Sequence, residues 1–150
     1  MRTSVLIPAV ALGLLLSGCA LTPPGPPTGQ RSGPPAGCPG SGAECNVYVD
    51  VTSCTQVALE PDPLEVNGGT RVIHWRIRVG EGSYTFAPTG IIIKDPDPDR
   101  QFQNGRSVEQ GRGYLLTDRN TDTQRYRYGV DLMHGTEACP RFDPTIINQR

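Results

Sequence analysis

From Glu44 to the end of the chain, apolar residues recur at every second position in short runs. Turn-forming residues close these runs about every ten residues, and no stretch carries a helical repeat of useful length. Val47, Val49 and Val51 alternate with Tyr48, Asp50 and Thr52, the period of a strand whose successive side chains face opposite ways. Gln56 to Glu60 is a second short run, ended by Pro61-Asp62-Pro63, and Leu64-Glu65-Val66 leads into the turn signal Asn67-Gly68-Gly69. Thr70 to Val79 alternates best. Ile73, Trp75, Ile77 and Val79 are expected to face a core, with Val72, His74, Arg76 and Arg78 toward solvent. Gly80-Glu81-Gly82 turns the chain into Ser83–Phe86, and Ile91–Ile93 forms a separate apolar strand. Lys94 to Arg100 reads as a Pro/Asp loop, and Gln101 to Gln110 as weakly structured. Tyr114–Leu116 is a strand and Asp118 to Asp122 a polar turn. Gln124 to Met133 places Tyr126, Tyr128, Val130 and Leu132 on one face, and Ile146 and Ile147 suit a last strand. Short strands of this spacing predict an all-β domain over residues 44–150. The expected form is an antiparallel β-sandwich of the cupredoxin, immunoglobulin or jelly-roll kind.

Ahead of this domain the composition changes. Ala20 to Ala43 is built largely from proline and glycine, with almost no apolar residue after Leu21. Proline pairs favour extended polyproline II, and such a segment lacks the apolar surface to fold on itself. Residues 19–43 are therefore expected to be a disordered, solvated tether, reaching roughly 70 Å at about 3 Å per residue.

Before the tether lies an apolar stretch, Val5 to Leu16, preceded by Arg2 and followed by Leu16-Ser17-Gly18-Cys19. Its length suits the apolar part of a secretory signal and falls short of the roughly 20 residues of a membrane span. The closing four residues look like a bacterial lipobox. That resemblance implies removal of residues 1–18, lipidation of Cys19, and stable membrane anchoring through more than one acyl chain. Ala20, where inner-membrane lipoproteins often carry Asp, points to the outer membrane of the cell envelope. The expected partners are the membrane, through the anchor, and an envelope protein or polymer.

The chain has five cysteines. With Cys19 assigned to lipid, Cys38, Cys45, Cys54 and Cys139 remain. An even number in an oxidising compartment predicts two disulfides, and four cysteines allow three pairings. We expect Cys38–Cys45, closing a glycine-rich loop, and Cys54–Cys139, tying the first strand region to the end of the domain. Irregular spacing without a Cys-x-x-Cys pair argues against zinc.

Charge is nearly balanced, with 14 Lys and Arg against 15 Asp and Glu. No basic run is interleaved with aromatics, so nucleic acid is not an expected partner. Lys94 is the only lysine. A blue-copper site needs two His, a Cys and a weak axial Met. Here the late order is Met133, His134, Cys139, with no histidine after the cysteine. Asp95-Pro96-Asp97-Pro98-Asp99 spaces three carboxylates like a calcium loop. Arg100 and Arg106 nevertheless stand where that loop needs glycine and a bidentate glutamate, so a solvated loop is expected. No metal or other cofactor is expected, and His74 and His134 read as surface and loop residues.

One chemically distinctive bond remains, Asp143-Pro144. The aspartyl carboxyl can attack its own carbonyl carbon, and the proline nitrogen is a good leaving group once protonated. Neighbouring acids of split pKa would assist. Glu60-Pro61, Tyr84-Thr85-Phe86 with Gly90-Ile91, Asp118-Arg119-Asn120-Thr121-Asp122 before Tyr126-Arg127-Tyr128, and the closing Asp143-Pro144-Thr145-Ile146-Ile147-Asn148 together resemble the DP-EP family of small bacterial β-sandwich proteins. The likeness spans roughly residues 55–148. It implies self-cleavage in the manner of an aspartic peptidase at Asp143-Pro144, with Glu60 or Asp62 as partner acid. Three functions thus stand side by side, in falling order: a lipid-anchored envelope binding or structural module, a self-processing peptidase, and a metal-binding module.

Overall fold

The computed structural model describes residues 33–40, 42–80 and 82–150. The signal segment, Cys19 and the tether as far as residue 32 lie outside the described residues. Ten strands follow in order: β1 (Glu44–Ser53), β2 (Gln56–Glu60), β3 (Leu64–Asn67), β4 (Arg71–Val79), β5 (Tyr84–Ile93), β6 (Phe102–Val108), β7 (Gly113–Asp118), β8 (Arg125–His134), β9 (Glu137–Ala138) and β10 (Thr145–Gln149). One 3-10 turn, Glu109–Gly111, joins β6 to β7. The first sheet runs β2-β1-β4-β7-β6, and the second β3-β10-β8-β5, with β9 added to β8. The domain is an all-β sandwich, as the alternation predicts.

Two pairings depart from the antiparallel expectation. β1 runs parallel to β4, and β3 parallel to β10. The chain leaves the first sheet after β2, crosses at Pro61-Asp62-Pro63 to lay down β3 in the second, and returns at Gly68-Gly69. It therefore re-enters the first sheet beside β1 in the same direction. Such crossovers are what parallel neighbours require.

The core forms between the sheets. Val47, Val49, Val51, Ile73, Trp75 and Leu116 of the first meet Leu64, Val66, Tyr128, Val130, Leu132 and Ile146 of the second in one cluster. The tyrosine face of β8 is buried as expected. Val79, assigned to the core by period, lies at the end of β4 and is 43% exposed. Other differences have local causes. Ser83–Phe86 and Ile91–Ile93 belong to a single strand, β5, whose register against β8 shifts between Phe86 and Ile91. Gly90 sits in that irregularity, where an added Cβ would fall 2.9 Å from Phe86 Cβ. Gln101 to Gln110, expected to be weakly structured, contains β6. As an edge strand it is held by its ladder to β7 rather than by apolar alternation, with Phe102 set edge-on to Tyr126 at 4.9 Å.

The compact unit also begins before residue 44, at Gly33. Gly37 and Asn46 exchange backbone hydrogen bonds of 2.7 and 2.8 Å, and the Tyr48 hydroxyl donates to the Pro34 carbonyl. This segment continues the pairing along β1 beyond the end of β2, and on the outer face Tyr48 is buried against Pro34 and Arg78 and Asn46 against Arg76. Both expected disulfides are present, Cys38–Cys45 and Cys54–Cys139. The second spans 85 residues, so on the loop-entropy view it contributes about 4–5 kcal/mol. Replacing Cys54 and Cys139 together by serine should lower the midpoint of thermal unfolding by roughly 10–20 °C, measured by circular dichroism. Loss of Cys38–Cys45, a separation of 7, should cost about 2–3 kcal/mol.

Candidate functional site

Phe142 to Thr145 approaches β8 as the chain enters β10. Val130 donates to the Phe142 carbonyl at 2.8 Å, and Tyr128 to that of Pro144 at 3.0 Å. The backbone on both sides of the Asp143-Pro144 bond is thereby pinned to β8. The Thr145 N–H reaches Asp62 Oδ1 at 3.3 Å. Asp62, Asp143 and Pro144, with Phe142 and the edge strand residues Val57, Ala58 and Leu59, line an open hollow of about 430 Å³. The structure thus brings Asp62 to the Asp-Pro segment.

Glu60 does not line that hollow. It alternates with Leu59 and turns to the outer face of the first sheet, where Arg78 binds it at 2.9 Å. Arg78 also binds Asp50 and lies over the Tyr48 ring at 4.9 Å. Of the two acids that the resemblance offers as partner to Asp143, only Asp62 is beside it. Asp143 itself, 54% exposed at its side chain, forms an ion pair with Lys94. Lys94 holds Oδ1 of the carboxyl that would attack the Asp143 carbonyl carbon. Nothing in the sequence signals this contact, which joins residues 49 positions apart. Scission would also leave Pro144–Arg150 in place, because β10 is hydrogen-bonded to both β3 and β8.

The Asp/Pro loop holds no cluster of three carboxylates. Asp95 accepts from both the side chain and the backbone N–H of Arg127. Asp97 accepts from the backbone N–H groups of Gln101 and Phe102. His74, expected on the surface, is buried. Gly113 makes room for its ring, since a Cβ there would lie 2.8 Å from Nε2. Glu44 approaches Nδ1 at 3.4 Å, and Glu109 approaches Nε2 at 3.8 Å. Burial, and then the Arg76 charge, lower its pKa against the opposing pull of these glutamates. His134 is the last residue of β8 and stacks on Tyr84 at 4.7 Å. Among the described residues, no three His, Cys, Asp or Glu side chains are grouped to hold a metal ion.

The polar turn expected at Asp118 to Asp122 is part of a buried cluster between β7, β8 and β10. Asp118 ends β7 with no exposed surface. Its Oδ1 accepts the Asn120 N–H at 2.8 Å and Asn148 Nδ2 at 3.3 Å. Asn148 Nδ2 also reaches Asp122 Oδ1 at 3.3 Å, and the Tyr126 hydroxyl donates to Asp122 Oδ2. Gln101, fully buried, exchanges hydrogen bonds with Thr121 and fixes the turn from the β6 side. The signal for this cluster in the sequence is the spacing Asp-x-Asn-x-Asp, answered by Asn148 in the closing motif.

No known protein family matches the chain, and no curated protein matches it.

Burial pushes the Asp118 carboxyl up to about 6 from an ordinary 3.8. Because the folded value is the higher, the unfolded chain releases this proton first. The group's contribution is complete below about pH 4 and is lost as pH rises through 6, a difference of the order of 3 kcal/mol. Chemical denaturation of the chelator-treated protein between pH 4 and 8 should show this decline. Asp118→Asn should flatten it and be at least as stable at pH 7.5.

Proposed function

We propose that this protein is a lipid-anchored component of the bacterial cell envelope whose β-sandwich serves as a binding or structural module. The observation that carries the reading is Leu16-Ser17-Gly18-Cys19 at the end of an apolar stretch, followed by a proline- and glycine-rich tether. Support comes from the domain beyond it. Its disulfides suit an oxidising compartment, and Glu60, Asp62 and Asp143 are each engaged by a different partner. The hollow beside edge strand β2, apolar at Val57, Leu59 and Phe142 and acidic at Asp62 and Asp143, is the surface offered to an envelope protein or polymer. Growth with a labelled fatty acid should label the full-length protein, and Cys19→Ala should lose both the label and the membrane fraction. Retention of the label by Cys19→Ala would reject the anchor. Crosslinking from intact envelopes that captures no partner, together with an unaltered envelope in a deletion strain, would reject the module.

A second reading, self-cleavage at Asp143-Pro144, is favoured by the Asp62 carboxyl group, whose Oδ1 accepts the Thr145 N–H and whose Oδ2 can carry the proton for the leaving nitrogen, and by the DP-EP resemblance. Intact mass under denaturing conditions, after incubation between pH 4 and 8, should then show loss of Pro144–Arg150 in the native protein. Asp143→Asn should abolish the loss, and Asp62→Asn should slow it by tenfold or more, a general acid contributing on the order of 10²–10⁴. An unchanged mass at every pH rejects this reading. Loss that persists after unfolding marks it as the intrinsic acid lability of the bond.

A further inference from the structure

In the cluster joining β7, β8 and β10, acceptors outnumber donors. Asp118, Asn120 and Asn148 are 0%, 2% and 2% exposed. Asn148 spends its amide nitrogen on Asp118 and Asp122, and Asn120 gives its own to the Gln149 carbonyl at 3.3 Å. Asp122 Oδ1 takes the Gln124 N–H as well, and Oδ2 takes the Tyr126 hydroxyl. Three oxygens of the same linked side chains are left buried with no donor: Asp118 Oδ2, Asn120 Oδ1 and Asn148 Oδ1. All three are acceptors. Asp122 and Asp97, which share its sign, act on Asp118.

A buried carboxylate with no ion pair among the described residues, hydrogen-bonded to two asparagines whose own amide oxygens are orphaned, is costly in free energy. Amide and carboxylate oxygens are the ligands that hard cations select, and calcium accepts an irregular set of 6–8 of them where magnesium demands an octahedron. Asp118, Asn120 and Asp122 also stand at the first, third and fifth places of an Asp-x-Asn-x-Asp run. The run does not continue as an EF-hand, because Thr123 stands at the sixth place and Gly129 at the twelfth. The next oxygen comes instead from Asn148 on β10, a different part of the chain. We propose that Asp118, Asn120 and Asn148, with the negative charge of Asp122, hold a calcium ion that fastens β10 to the β7–β8 turn. With one directly available carboxylate, affinity should fall in the range of about 10⁻⁴–10⁻³ M typical of extracellular modules.

The test uses the full chain, purified in detergent and freed of metal with chelator at pH 7.5. Calorimetric titration with calcium chloride should give one site in that range. Calcium at about 10 mM should raise the unfolding midpoint by a few degrees, while magnesium at equal ionic strength should not. Asp118→Asn, matched in size, should weaken binding at least tenfold and remove the thermal shift. Asn120→Ala, which leaves the carboxylate in place, should do the same. Absence of heat and of any midpoint change with calcium in the unmodified protein overturns the proposal. So does calcium binding that survives in a folded Asp118→Asn or Asn120→Ala variant, which would place the ion on surface acids instead.

Discussion

The two sheets are tied at their centre by one polar contact. Trp75 of β4 donates its indole N–H to the Tyr128 hydroxyl of β8 at 3.1 Å, and the rings meet edge to face at 5.5 Å. Both side chains are fully buried, so each polar atom left alone would cost more than the bond itself supplies. This fixes which residues of β4 and β8 oppose one another. The strands flanking each then follow from their ladders. β1 and β7 are aligned by β4, and β5 and β10 by β8. The placement of Asp143-Pro144 against β8, and of Asn148 against Asp118, descends from that register.

Much of this was legible because burial on one face of a sheet leaves a period of two. The tyrosines and aliphatics of β8 and the Ile73-Trp75-Ile77 face of β4 are signals of that kind, whereas four cysteines allow three pairings and only the fold selects one. Where the physics is of another sort, the alternation is silent. β6 is an edge held by backbone bonds, so its side chains need no pattern. The edge of β1 beyond β2 is paired with a glycine- and proline-rich segment, which reads as solvated because it has little apolar surface of its own. His74 is buried because Gly113, on the neighbouring strand β7, leaves space for its ring, a fact of register. The Asp118 cluster is written as a polar turn, and only the fold closes Asn148 over it.

The acids singled out from the sequence illustrate how pairing divides them. Glu60 and Asp62 are two residues apart, yet the chain leaves the first sheet between them. One carboxylate therefore joins Arg78 and Asp50 on an outer face, and the other meets the Thr145 N–H at the mouth of a hollow. A half-exposed pair such as Lys94–Asp143 contributes little to stability. Its effect is on where the Asp143 carboxylate points, and hence on whether the Asp-Pro bond meets its own side chain.

The segment before β1 has a mechanical consequence. A pull arriving from residues before Gly33 meets the Gly37–Asn46 bridge and the covalent loop of Cys38–Cys45 before it loads β1. β1 lies inside its sheet, between β2 and β4, and not at an edge. Tension along it must slide two ladders at once, with many hydrogen bonds sharing the load, where an edge strand peeled from its end would give them up one by one.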